Sequence, residues 1–293
     1  MRVLFATDGS SDARAAAAFL RRLPLSRTSR VRIVSVIEPR PSRLDLPGVQ
    51  HYDDAISAEG GRVVGEARAS LSVSAPIETA VLAGLPREEI VREARDWNAD
   101  LVVVGARGLG VVDAWLLGSV SLAVARSVEC AALIVKGQGR SLEHVVIGLD
   151  GSDEAAHAAR FVAAWPLGAA HSVRLIGAVE PIHFPSSAPD LIRTEIAAAV
   201  REMKDERRDE LTKALDQVAP LFEAHGVSVS RETPEGHPAD LIAAATEGDT
   251  DLVVVGARGL GGVKRLLLGS VSENVLRAAR CPVLIVKRPL SAS

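Results

Sequence analysis

The stretch Asp100–Ser121 reads DLVVVGARGLGVVDAWLLGSVS, and Asp251–Ser272 reads DLVVVGARGLGGVKRLLLGSVS. Carried on to Lys136 and Lys287, the two copies keep an offset of 151 and share 25 of 37 residues. Cys130 and Cys281 fall in register. Upstream, VLFATDGS ending at Ser10 is answered by VVIGLDGS ending at Ser152, an offset of 142. VSVIEP (Val34–Pro39) and IGAVEP (Ile176–Pro181) keep that second offset, so the second copy has gained nine residues net before its glycine loop. Units of this size are whole domains and not the 20–50-residue repeats of a solenoid. The polar KGQGRS at 136–141 marks the junction, giving domains 1–139 and 140–293.

Each copy alternates strand and helix. RVLFA is a short aliphatic run suited to a buried strand. The alanine-rich SSDARAAAAFLRRL follows, with Ser10 or Ser11 placed to cap a helix. RVRIVSVIEP, IETAVLAG and SVSRETPEG read as strands. PREEIVREARDWN and PADLIAAATEG read as helices with proline in the first turn. In the second copy Thr194–His225 has the composition of one long helix. DLVVVGA is a central strand, LLGSVSLAVARSV a helix and AALIVK a last strand. This alternation implies a parallel sheet covered by helices on both faces.

The 293 residues carry 47% hydrophobic and 24% charged side chains, ordinary for a globular protein. Aromatics are 3%, so the core must be aliphatic. A net charge of −3 argues against a general nucleic-acid or anionic-membrane binder. The opening MRVLFATDGS has no leader-like apolar region, and no apolar run is long enough to span a membrane. The expected compartment is the cytoplasm. The two cysteines each enter an aliphatic run and read as buried small hydrophobes; they lack a second pair of ligands for zinc.

The glycines carry the chemistry. Gly105-x2-Gly108-x9-Gly118-Ser119 recurs as Gly256-x2-Gly259-x9-Gly269-Ser270. The first pair follows a strand, where glycine permits close approach to the backbone. The Gly-Ser pair begins a helix, whose N-terminus carries open N–H groups and partial positive charge. Together they form an anion cradle, and phosphate is the usual occupant. It is neither a P-loop nor a dinucleotide fingerprint, because no Gly-Lys-Ser/Thr or G-x-G-x-x-G is present and the strand is a late one. Asp8 and Asp150 end the first strand of each copy, where open parallel sheets bind ligands. Each carboxylate is suited to a nucleoside donor or a metal-bound water, and the alternative is a helix N-cap.

These motifs, with TDGS, LDGS and the final LIVK strands, make the chain resemble the universal stress protein family over its whole length, as a tandem pair. The complete glycine pattern is similar to that of the ATP-binding branch. The resemblance implies an open five-stranded parallel sheet of order 3-2-1-4-5 in each half, paired through the last strands as an intramolecular pseudo-dimer; a further homodimer stays open. It implies ATP with magnesium at the phosphates. Asp8 and Val36 would meet the nucleoside, and Gly105, Gly108, Gly118, Ser119 and Val120 would wrap ribose and phosphates. The matching positions are Asp150, Ala178, Gly256, Gly259, Gly269, Ser270 and Val271. Ala178 offers the base less than Val36. Lys264 and Arg265 replace Asp113 and Ala114, making the second loop the more basic.

No catalytic set accompanies the cradle. The seven histidines show no metal spacing, and no Gly-x-Ser-x-Gly elbow is present. Phosphoryl transfer needs charge clamps and a positioned nucleophile, where this sequence offers backbone donors. The expected function is a regulatory nucleotide binder in stress response with at most slow hydrolysis. The alternative is an interaction module with vestigial sites. A ligase or sulfurtransferase of related fold would need a reactive lysine or cysteine, and Cys130 and Cys281 are badly placed for that role.

Overall fold

The computed structural model describes residues 1–23, 25–38, 47–109, 117–137, 142–165, 172–182, 190–259 and 268–288, with the side chains of 47–53 and 190–195 left aside. Asp113, Ala114, Lys264 and Arg265 lie outside these residues. Two compact units emerge. The first is Met1–Leu142 with Arg280–Ser293, and the second is Glu143–Ala279.

The first unit runs β1 (Arg2–Ala6), α1 (Ser11–Leu20), β2 (Arg30–Ile37), α2 (Pro47–Ser70), β3 (Ile77–Ala83), α3 (Pro86–Asp96), β4 (Leu101–Gly105), α4 (Ser119–Ser127) and β5 (Ala131–Val135). Its parallel strands lie in the order β3-β2-β1-β4-β5. Leu101, Val102 and Val103 of β4 have no exposed surface, because helices cover both faces of a central strand. At the edge, β3 alternates between half-buried and exposed residues.

The second unit runs β6 (His144–Gly148), α5 (Asp153–Ala163), β7 (Ser172–Ile176), α6 (Asp190–Val218), α7 (Pro220–Glu223), β8 (Ser228–Glu232), α8 (Pro238–Ala244), β9 (Leu252–Gly256) and α9 (Ser270–Ala278). Its strands repeat the order as β8-β7-β6-β9, all parallel. The single helix expected over Thr194–His225 is divided. α6 stops at Val218 and α7 begins at Pro220, since proline has no N–H to continue the ladder but suits a first turn.

The chain's last strand, β10 (Val283–Val286), belongs to the first unit. It pairs antiparallel with β5, Val283 opposite Ile134, Leu284 opposite Leu133 and Ile285 opposite Ala132. The last strands of the two sequence copies therefore lie side by side, as the resemblance implies. The aliphatic edge of β5 is covered, which removes a ready site for aggregation. Continuing the register sets Cys130 opposite Lys287 and Lys136 opposite Cys281. The Lys287 ammonium donates to the carbonyls of Arg126, at 3.0 Å, and of Val128, satisfying acceptors at the end of α4. No helix among the described residues is long and apolar enough to cross a membrane.

Candidate nucleotide site

In the first unit the site is built where β1 and β4 end side by side. Gly9 turns the chain with φ +76°, and Ser10 then caps α1, its hydroxyl accepting from Ala13 N at 3.2 Å. The cap is thus Ser10 and not Asp8. Asp8 instead bridges two loops: Oδ1 accepts from Ser10 N at 3.0 Å and Oδ2 from Leu109 N at 3.1 Å. A Cβ on Gly108 would lie 2.7 Å from that Oδ2, so the glycine admits the carboxylate. The register of β1 and β2 ends with Ala6 opposite Val34, and Asp8 and Val36 each follow two residues on.

Two further contacts bolt the glycine loop to α1. Ser10 Oγ donates to the Arg107 carbonyl at 3.1 Å. The Arg107 guanidinium grips buried Asp12 with hydrogen bonds of 2.8 and 3.0 Å, which raise its already high pKa. The far end of the loop closes on its beginning, since Gly118 N donates to the Ala106 carbonyl at 2.9 Å and Ser121 Oγ to the same oxygen at 2.7 Å. Gly118 caps α4 without a side-chain hydrogen bond. The first N–H groups of α4, at Ser119 and Val120, thus receive no side-chain cap from that position.

Gly105 permits a close approach, that of α1. A Cβ there would meet α1, 2.6 Å from Asp12 C and 2.7 Å from Ala13 N. Its missing side chain serves helix packing, while its backbone stays at the strand end.

The second unit bears an open cavity of about 720 Å³. Asp150, Ala178, Gly256, Gly259, Gly269, Ser270 and Val271 all line it. All seven second-copy positions singled out from sequence therefore share one space. Asp150 Oδ1 accepts from Ser152 N at 3.0 Å and from Ser152 Oγ at 2.5 Å. A Cβ on Gly259 would collide with Asp150 Oδ2. Gly269 N donates to the Ala257 carbonyl at 2.7 Å, and Gly269 caps α9 without a side-chain hydrogen bond. The floor is apolar, from Ile176, Val179, Ile242 and Val255.

One wall is absent from the sequence reading. α6 contributes Met203, Lys204, Glu206, Arg207 and Glu210 to the lining. Arg207 Nη2 donates to the Asp150 carbonyl at 2.8 Å, and Nη1 pairs with Glu210 at 3.0 Å. Lys204 and Arg208 both hold Glu235, at 2.7 and 2.9 Å, which lowers that carboxyl's pKa through the two hydrogen bonds. A helix this polar signals exposure in its sequence, but not the cavity its face borders. The arrangement can hold a polyanion on backbone donors at one end and a flat, partly apolar group at the other.

Similarity to known proteins agrees with this architecture. The universal stress protein family model matches residues 1–136 and again 141–287. A universal stress protein of Mycobacterium tuberculosis is 29% identical over 98% of this chain and 97% of its own. One from Methanocaldococcus jannaschii is 42% identical over 83 residues, 28% of this chain and 49% of its own. The crystal structure of a universal stress protein from Archaeoglobus fulgidus covers 98% of this chain and 96% of its own with a TM-score of 0.65, at 23% identity a likeness of fold. With both halves matched in tandem over nearly its whole length, this chain belongs to the universal stress protein family.

Proposed function

We propose that this protein binds ATP in each half and acts as a regulatory nucleotide binder, not as an enzyme that turns ATP over. The observation that carries the reading is the single cavity shared by Asp150, the two glycine pairs and the start of α9. Its volume of about 720 Å³ is within the range of small-molecule sites. The residues fit the ligand. Gly108 and Gly259 let the Asp8 and Asp150 carboxylates lie against the glycine loops, and the helix starts favour phosphate. Asp8 and Asp150 each keep carboxylate acceptor capacity for a nucleoside donor.

Magnesium would come with the phosphates. Among the described residues no group of three His, Cys, Asp or Glu side chains is placed to hold a metal by itself. The ion would offset phosphate charge near the carboxylate that ends the first strand.

The test is to denature the purified full chain and identify released nucleotide by mass spectrometry, then titrate the emptied protein with ATP and magnesium by calorimetry. Bound adenine nucleotide and saturable uptake support the reading. A chain that carries none and takes up none would act through its surface instead.

A further inference from the structure

The cavity of the second unit has two chemically distinct ends. At one, Arg258, Gly259 and the start of α9 line the cavity, and Gly269 gives the first N–H groups of α9 no side-chain cap. At the other, Ile176, Ala178 and Val179 form an apolar strand end, and Glu180, Glu206 and Glu210 add carboxylates to the lining; Asp150 follows β6, the strand between β9 and β7, and its carboxylate lies against Gly259. Phosphates are drawn to the first end and repelled from the second. A flat ring with N–H donors suits the second.

α6 faces that second end. Met203 and Arg207 are four residues apart and so share one face of the helix. Met203 is 56% exposed although it is a large apolar side chain, and it lies at the cavity. The Arg207 guanidinium is held by the Asp150 carbonyl and by Glu210, which fixes the plane of the fork. Guanidinium planes and thioethers both pack favourably on aromatic rings.

Among the described residues, the matching helix position of the first unit holds no arginine. Gly9 packs against Val63 of α2 and the equivalent Gly151 against Ala214 of α6, which sets the two helices in register. Seven residues before these stand Ile56 and Arg207 respectively. The second copy thus has the smaller Ala178 at the strand end and the added arginine on the helix opposite.

We propose that Met203 and Arg207 form a nucleobase clamp particular to the second site, packing a purine ring against the Ile176–Val179 strand end. The clamp rests on the nucleotide reading and adds the residues that choose the base. It replaces the apolar contact that Ala178 gives up relative to Val36.

The experiment uses the full chain carrying Gly108→Asp, so that the second site alone reports. ATP, adenosine and inorganic tripolyphosphate are titrated separately by calorimetry. Met203→Ser and Arg207→Gln should each weaken ATP and adenosine about 3–10-fold. Tripolyphosphate affinity should stay within about twofold, because the clamp packs on the base and not on the phosphates. Arg207→Lys keeps the charge but loses the plane, and should behave like Arg207→Gln. Met203 is exposed, so its replacement leaves folding intact and serves as the second, independent variant. Equal weakening of tripolyphosphate and ATP, or full rescue by Arg207→Lys, would show a charge effect and overturn the clamp. ATP binding by the parent with no loss in any variant overturns the clamp alone. Failure of the parent to bind ATP overturns the nucleotide reading and the clamp together.

Discussion

Replacing Gly105 by alanine should damage the first unit's stability, whereas Gly256→Ala should be nearly silent. In the first unit the new Cβ would sit 2.6 Å from Asp12 C and 2.7 Å from Ala13 N, both backbone atoms. Ordinary carbon contacts lie near 3.5 Å, so α1 must retreat by roughly 0.8 Å. It cannot do so cheaply, because Ala16, Phe19 and Leu20 have no exposed surface. Retreat would also loosen the Asp12–Arg107 pair at the helix start. Overpacking of this kind costs about 1–3 kcal/mol. For a unit of this size that is a fall of about 2–12 °C in its unfolding midpoint. At Gly256 the nearest atoms to a Cβ are 3.2 Å away, so a few tenths of an ångström suffice and the cost stays below about 1 kcal/mol. Thermal and urea unfolding of the full chain by circular dichroism measures the change, and hydrogen exchange assigns it to a unit. A Gly105→Ala chain as stable as the parent, or a Gly256→Ala chain equally damaged, would refute the packing role given to Gly105.

Gly108→Asp and Gly259→Asp should each abolish nucleotide binding in their own half, with the other half still titrating in calorimetry. Each places a second carboxylate against the carboxylate of Asp8 or Asp150. A second expectation concerns alkaline pH. Burial lowers the pKa of Lys136 to about 8, below the unfolded value, so unfolding takes up a proton there and stability rises between pH 8 and roughly 10.4. Burial pushes the Cys130 thiol up to about 11, so unfolding releases a proton and stability falls between roughly pH 8.5 and 11. The two slopes oppose each other. Relative to the parent, Lys136→Met should tilt the stability–pH curve downward and Cys130→Ala upward, each by up to about 1.4 kcal/mol per pH unit. Urea midpoints across pH 8–10.5 read the tilt, and parallel curves for all three chains would discredit the assignment. Finally, ending the chain at Arg140 removes β10 and bares the β5 edge. That chain should self-associate at roughly tens of micromolar in sedimentation experiments, where a persistent monomer would contradict the role of β10.

Much of the architecture was legible in the residues. The aliphatic LVVV of DLVVVGA, short and bounded by glycine, reads as a strand buried on both faces, and its recurrence at an offset of 151 announces two copies of one unit. The spacing of Gly256, Gly259, Gly269 and Ser270 is local chemistry: turn, close approach, helix start. Such features survive in one dimension, and all four residues line the cavity. Pro220 carried its own warning that Thr194–His225 would not run as one helix.

Other features exist only once the chain is folded. Gly105 and Gly256 are identical in sequence context, yet the gap above them differs by 0.6 Å because α1 and α5 sit at different heights, 2.6 Å against 3.2 Å at closest. The opposition of Lys136 to Cys281 joins residues far apart in the chain through the register of an antiparallel pair. The repeat pointed to Asp8 and Asp150, but their loop partners Leu109 and Ser152 depend on where the turns bring N–H groups. The α6 wall is the clearest case. Met203 and Arg207 read as ordinary exposed positions on a polar helix, since a sequence records periodicity along one element and not the surface it meets. Repetition and local stereochemistry determined the strands and the doubling of the glycine pattern; the packing of a long helix over one strand end decided what else lines the cavity of the second unit.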